Sequence, residues 1–152
     1  MALSKSSSTD PSTNQAGAAE KPLRILLVDA DPAYLVVNRQ GLEQKGYEVL
    51  TATDGGSALE LAARSAPDLI VLAMVLQGID GLAVLEALRA QERTRATPVI
   101  VLSSTTERRL VQRSRELGAV NYLSKQSKST DPATLSAAVS AWLRSRRFPP
   151  PA

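Results

Sequence analysis

The 152-residue sequence has no cysteine and no histidine. Without cysteine there are no disulfides, zinc-thiolate centres or thiol nucleophiles. Without histidine there are no imidazole metal ligands, His-based triads or imidazole general bases. No apolar run is long enough to cross a bilayer, the longest being stretches such as "DLIVLAMVL". The first residues, "MALSKSSSTDPSTNQAGAAEKP", lack the apolar centre of a secretory signal, so a cytoplasmic location is the default expectation. Glycine-rich phosphate loops are absent too, since "DGGSALE" and "GLAVLEALR" match neither the dinucleotide fingerprint nor the P-loop. No nucleophile–base pair stands out, so an enzyme is not expected.

What is present is ordinary for a globular chain: 43% apolar and 22% charged residues. The length suits one domain with tails and is ample for a real core. The net charge of +3 is unevenly spread. Residues 24–105 carry 7 basic and 10 acidic side chains, whereas residues 106–152 carry 9 basic and 3 acidic. The C-terminal third therefore suits an acidic partner.

Residues 1–22 are rich in Ser, Thr, Ala and Gly without apolar periodicity, as in a disordered tail. Residues 148–152 form a short Pro-rich tail, and 23–147 form the expected domain. Within it, short apolar runs alternate with helical patterns. The runs are "LRILLVD" (23–29), "YEVLTA" (47–52), "DLIVLA" (68–73), "PVIVLS" (98–103) and "AVNYLS" (119–124). Asp31-Pro32 and Asp131-Pro132 each supply a cap followed by a first-turn proline. Asp54 and Asp80 cap two further helices, and another is expected from Thr106 to Leu117, closing at Gly118. This alternation predicts an α/β fold, a doubly wound five-stranded parallel sheet with helices on both faces. Ligands of such sheets sit beyond the carboxyl ends of the strands. Those ends offer Asp29-Ala30-Asp31, Ala73-Met74, Ser103-Ser104 and Ser124-Lys125.

The segments "ILLVDADP", "GYEVLTATDGGSALEL", "PDLIVLA", "GIDGLAVLEALR", "PVIVLSS" and "GAVNYLSK", in this order, resemble the receiver domain of bacterial two-component response regulators. The resemblance runs from about Leu23 to Arg144. It implies the CheY-like, flavodoxin-like strand order 2-1-3-4-5. It also implies a phospho-accepting Asp ending the third strand, and Mg²⁺ held by that Asp, an acidic pair after the first strand and a loop carbonyl. By the same resemblance a Ser/Thr and a Lys contact the phosphate, and a nearby aromatic reports the state.

Laid on this sequence, the pattern is kept in part. Asp29 stands at the first acid, Ala30 at the second and Ala73 at the acceptor. Ser103 fills the hydroxyl position, Lys125 the lysine position and Tyr122 the aromatic position. Gln77 and Gln126 stand where the family usually has proline. An alanine methyl cannot form an acyl phosphate, and Asp29 is the one family acid retained, so Mg²⁺ is not expected as a cofactor. Asp31 reads as a helix cap. Lys125, lacking a carboxylate at residue 73, is expected to pair with Asp29.

The resemblance thus implies a degenerate pseudo-receiver, a phosphorylation-independent protein-interaction module. The alternative is a small anionic ligand or nucleotide messenger held by Ser103, Ser104 and Lys125. In receivers the face of helix 4, strand 5 and helix 5 docks partners or dimerises. Here Leu110, Val111 and Leu117 supply the core stripe of helix 4, while Arg108, Arg109, Arg113 and Arg115 project from it. Lys128, Arg144, Arg146 and Arg147 add positive charge nearby. An acidic protein or a second copy of the chain fits this face; nucleic acid does not fit as well, because no DNA-reading module follows. In the first helix Tyr34, Val37 and Leu42 are expected to face the sheet, leaving Leu35 and Val36 as a second apolar docking patch.

Overall fold

The structure, a computed structural model, describes residues 21–76, 78–104, 107–124 and 132–147. Most of the expected N-terminal tail, the Pro-rich end and the Asp131 cap lie outside the described residues. Among the described residues ten elements alternate: β1 (Arg24–Val28), α1 (Pro32–Gln44), β2 (Glu48–Ala52), α2 (Gly55–Ser65), β3 (Leu69–Ala73), α3 (Gly81–Ala90), β4 (Val99–Ser103), α4 (Arg108–Glu116), β5 (Ala119–Ser124) and α5 (Pro132–Arg147). The strands form one parallel sheet in the order β2-β1-β3-β4-β5, as expected.

The three central apolar runs, β1, β3 and β4, are covered on both faces. Ile25 and Leu27 of β1, Leu69 and Val71 of β3, and Ile100 and Leu102 of β4 pack with Leu35 and Leu42 of α1 and Leu135, Val139 and Leu143 of α5. The alternate residues Leu26, Val28, Ile70, Leu72, Val99 and Val101 pack on the other face with Ala58 and Ala62 of α2 and Val84, Leu85 and Leu88 of α3. Each buried aliphatic side chain stabilises by roughly 1.5–3 kcal/mol. The central strands are therefore held from above and below, which fixes their register.

Aspartates start the helices where the sequence indicates. Asp31 accepts from the Ala33 amide at 3.0 Å, Asp54 from the Ser57 amide at 2.8 Å and Asp80 from the Ala83 amide at 2.8 Å. Each such cap contributes about 1 kcal/mol. Gly81 has a different reason to be glycine: its amide donates to the Met74 carbonyl at 2.8 Å, and a Cβ there would overlap the Ala73 carbonyl. The β3–α3 loop thus closes tightly on the end of β3.

One expectation for α1 is wrong. Leu35 is buried in the core, not on a docking flank, and it shares the face of Asn38, Gly41 and Leu42. Tyr34 and Val37 are half-buried, and Val36 alone of the proposed apolar pair is exposed, at 56%. The cause is α5: α1 packs against it as well as against the sheet, so its buried stripe is rotated towards Leu135, Val139 and Leu143.

Candidate functional site at the strand ends and around helix α4

Register carries the chemistry-bearing positions to one edge of the sheet. Val28 pairs with both Ala52 and Leu72, Ala73 with Leu102, and Ser103 with Ser124. Asp29 and Ala30 therefore follow β1 beside the end of β3, and Ser103 ends the next strand. Asp29 is buried; its amide donates to the Ala52 carbonyl at 3.1 Å, and its Oδ1 accepts from the Asp31 amide at 2.9 Å. Ala73 and Ser103 are buried, Ala30 is half-buried and Ser104 is exposed. Lys125, Gln126 and Gln77 lie outside the described residues, and with them the expected Asp29–Lys125 pair.

Asp29 is felt by α1. The Tyr34 phenol is pushed up from 10.0 to about 12, first by burial and second by the charge of Asp29. It is a neutral wall beside the carboxylate, able to donate a hydrogen bond and not to act as a base.

This donor set does not fit the Mg²⁺ of the receiver pattern. Magnesium takes oxygen ligands in near-ideal octahedral geometry, usually with carboxylates and phosphate oxygens among them. Ala30 and Ala73 bring no donor, Asp29 already accepts from a backbone amide, and Asp31 caps α1. Among the described residues no three His, Cys, Asp or Glu side chains cluster as a metal site.

Around α4 the picture reverses. Arg108, Arg109, Arg113 and Arg115 are all exposed, as expected, but they are not equivalent. Arg113 reaches Glu86 of α3 at 2.8 Å and Glu116 at 3.4 Å. These hydrogen bonds, that to Glu86 first, raise its pKa further and commit its charge to the fold. With Leu82, Glu107, Arg109, Leu110, Gln112 and Glu116 it lines a 490 Å³ cleft between α3 and α4. A second cleft, of 230 Å³, runs between α4 and β5 and is lined by Val111, Ser114, Arg115, Ala119, Val120, Asn121 and Tyr122. Tyr122, the expected aromatic reporter, is half-buried there and touches the core on the α2–α3 side. On α5, Arg144 is exposed; Lys128 and the side chains of Arg146 and Arg147 lie outside the described residues.

Two residues that matter were not foreseen. Ser114 is buried on the stripe of Leu110, Val111 and Leu117, and its hydroxyl has no hydrogen-bond partner among the described residues. Its spacing, three after Val111 and three before Leu117, was the available signal. Arg89 of α3 gave none. Its guanidinium donates to the carbonyls of Leu117 (2.7 Å), Gly118 (3.3 Å), Thr97 (2.7 Å), Arg95 (3.1 Å) and Thr94 (3.3 Å). Burial lowers its pKa, and the carbonyl ring compensates. This cation ties α3 to the turns that enter β4 and β5, and so sets where α4 ends. Gly118, at φ +87° and against the guanidinium, admits that approach.

The described helices include none long and apolar enough to cross a membrane. The family model "Response regulator receiver domain" matches residues 25–139. The sequence is 36% identical over 121 residues to the alkaline phosphatase synthesis transcriptional regulatory protein PhoP of Bacillus subtilis, covering 80% of this chain and 48% of the relative. It is 32% identical over 124 residues to the transcriptional regulatory protein PdtaR of Mycobacterium tuberculosis, covering 81% of this chain and 58% of the relative. The chain thus spans about half the length of the curated relatives it matches. Among solved structures, a CheY-like receiver domain protein from Methanospirillum hungatei superposes with a TM-score of 0.74 at 25% identity, over 83% of this chain and 97% of that one. A putative response regulator from Chloroflexus aurantiacus gives 0.71 at 29%, over 82% and 99%.

Proposed function

The chain belongs to the response regulator receiver domain family, and within that family we propose that it is a pseudo-receiver: a protein-interaction module that is not switched by phosphorylation. The observation that carries this reading is Ala73, a buried methyl at the end of β3 where the family pattern calls for the phospho-accepting carboxylate. Acyl phosphate formation needs a carboxylate oxygen to attack phosphorus, and no side-chain atom of Ala73 can do so. Ala30 supports the same reading, because a metal ligand is missing beside the missing nucleophile. Residues 23–147 would then act in the cytoplasm as a scaffold that holds one conformation. Its partner would be a protein, or a second copy, bound on the α4–β5–α5 side.

Treatment with acetyl phosphate and Mg²⁺, followed by electrophoresis that retards phosphoproteins, tests this directly. The expected result is a single unshifted band. A shifted, hydroxylamine-labile species would overturn the reading. Thermal-shift screening against nucleotides and small anions is expected to leave the melting temperature unchanged, since a ligand held at the strand ends would raise it by mass action.

A further inference from the structure

We infer that the amino edge of the sheet, opposite the strand ends described above, is a binding surface for the phosphate backbone of a nucleic acid. This surface is distinct from the α4–β5–α5 side, and its role does not depend on whether the chain is phosphorylated. In a parallel sheet with returning helices, every strand begins and every helix ends at this one edge. Side-chain contacts tie the edge together. Arg24 pairs with Glu48 and donates to the Ser65 carbonyl, and Arg93 donates to the Ala63 carbonyl at 3.0 Å. Arg89 bridges the carbonyls of Thr97 and Leu117. The hydroxyls of Tyr47 and Ser140 meet at 2.9 Å, so Arg144, one helical turn further along α5, lies at the same edge.

Charge is sorted along the strand axis. Asp31, Asp54 and Asp80 cap helices at the carboxyl edge. The amino edge instead presents Lys21, Lys45, Arg93, Arg95, Arg115 and Arg144, all exposed. None of these forms an ion pair among the described residues. The acids of that edge are mostly taken: Glu43 by Arg39, Glu48 by Arg24 and Glu116 by Arg113. Asp68 accepts from the Arg24 amide at 2.8 Å, and Glu92 is exposed without an ion pair among the described residues. Cations are therefore in excess. Helix dipoles account for bases in the last turns of α4 and α5. They do not account for Lys21, which precedes β1, or for Arg95, in the turn after α3.

Phosphate suits this edge better than other anionic surfaces do. Four of the six cations are arginines, whose planar fork matches phosphate oxygens. A membrane surface would be held by apolar side chains as well as charge. Yet of the exposed large apolar residues, Val36, Val75 and Ile79 lie away from this edge, and Val120 alone is near it. Five strands about 4.8 Å apart span about 19 Å. A duplex carries roughly eleven phosphates over that length, more than the cations need. Contacts to phosphate alone require no groove-reading helix, so the expected mode has no sequence preference.

The test uses the full chain and a fluorescein-labelled twenty-base-pair duplex, with fluorescence anisotropy read across a salt series. Binding is expected at low salt, equally for a duplex of scrambled sequence. Log K should fall against log salt with a slope of about −4, as four or five phosphate contacts require. Lys45→Gln combined with Arg95→Gln should make that slope shallower by about 2 and weaken binding about tenfold. Arg108→Gln combined with Arg109→Gln removes the same charge from the opposite end of α4 and should change the slope by less than about half a unit. Both pairs are expected to melt within a few degrees of the parent. If the first does not, Lys21→Gln with Arg144→Gln replaces it, with the same expectation. The inference falls if the duplex does not bind at low salt. It also falls if the two pairs weaken binding equally, since net charge and not this edge would then be responsible. Sedimentation with phosphatidylglycerol vesicles and titration with a poly-glutamate peptide cover the other anionic partners. Either one binding more tightly than the duplex, and losing affinity in the first pair, would assign the edge to a membrane surface or to an acidic protein and overturn the inference.

Discussion

The carboxyl edge of the sheet and the surroundings of α4 use their polar groups in opposite ways. At the edge they are spent inside the fold: Asp29 holds the Asp31 amide, Asp31 holds the Ala33 amide, and residues 30 and 73 are alanines. Around α4 one arginine is paired with carboxylates, while Arg108 and Arg115 are exposed and form no ion pair among the described residues. Chemistry at a strand end needs a carboxylate that is buried, reactive and paired with a metal. Recognition needs charge and hydrogen-bonding capacity that the fold has not consumed. On the proposed pseudo-receiver reading, the second condition is the one that carries the function.

The largest effect that would sharpen this contrast is the return of the missing oxygens. Ala30→Asp combined with Ala73→Asp is expected to convert an unreactive protein into one that forms a hydroxylamine-labile phosphoprotein with acetyl phosphate and Mg²⁺; Ala73→Asp alone should not. If the single change suffices, Ala30 is irrelevant to the loss.

Urea unfolding probes the next difference, between two neighbours on α1. Leu35→Ala should cost about 2–5 kcal/mol, because it opens a cavity between α1 and α5. Val36→Ala should stay within about 0.5 kcal/mol. Equal losses would mean that α1 is not rotated as described.

Alkaline titration reaches the edge again. Because Tyr34 holds its proton in the folded state up to about 12 and gives it up near 10.0 when unfolded, the unfolded state binds fewer protons in that window. The stability linked to Tyr34 is therefore fully present below pH 10 and is lost as pH rises through about 12. Absorbance at 295 nm should show a late phenol that Tyr34→Phe removes. Asp29→Asn should move it down only slightly, since burial is the larger cause; a fall close to the ordinary value would reverse that ranking.

The smallest expected effect is at Ala66, which ends α2 in the left-handed conformation at φ 50°. Ala66→Gly should stabilise by about 0.5–1 kcal/mol, the relief of the Cβ clash less the entropy of glycine. Destabilisation in thermal unfolding would contradict that conformation.

Much of this was legible from one sequence. Strands buried on both faces read as unbroken apolar runs, and Asp31, Asp54 and Asp80 announce helices by a local hydrogen bond that needs nothing distant. The alanines at 30 and 73 are visible without coordinates. The face of α1 was misjudged because helical periodicity alone marks an apolar stripe, not what covers it; α5, about a hundred residues on, turns Leu35 inward. Arg89 was missed for the same reason, since its five acceptors are backbone carbonyls, which leave no trace in side-chain sequence.

The sequence by itself determined the order of elements, the starts of three helices and the absence of a nucleophile at residue 73, because these depend on short-range pattern and on which atoms a side chain owns. Only the tertiary structure decided which charges are already spent. Arg113 and Arg115 are two residues apart and chemically identical, yet Glu86 of another helix reaches one and not the other. Val120 is exposed where β5 carries an extra residue opposite β4, a register irregularity that only the pairing of the two strands creates. Such differences arise from distance in space, and helix–helix and helix–strand packing sets that distance.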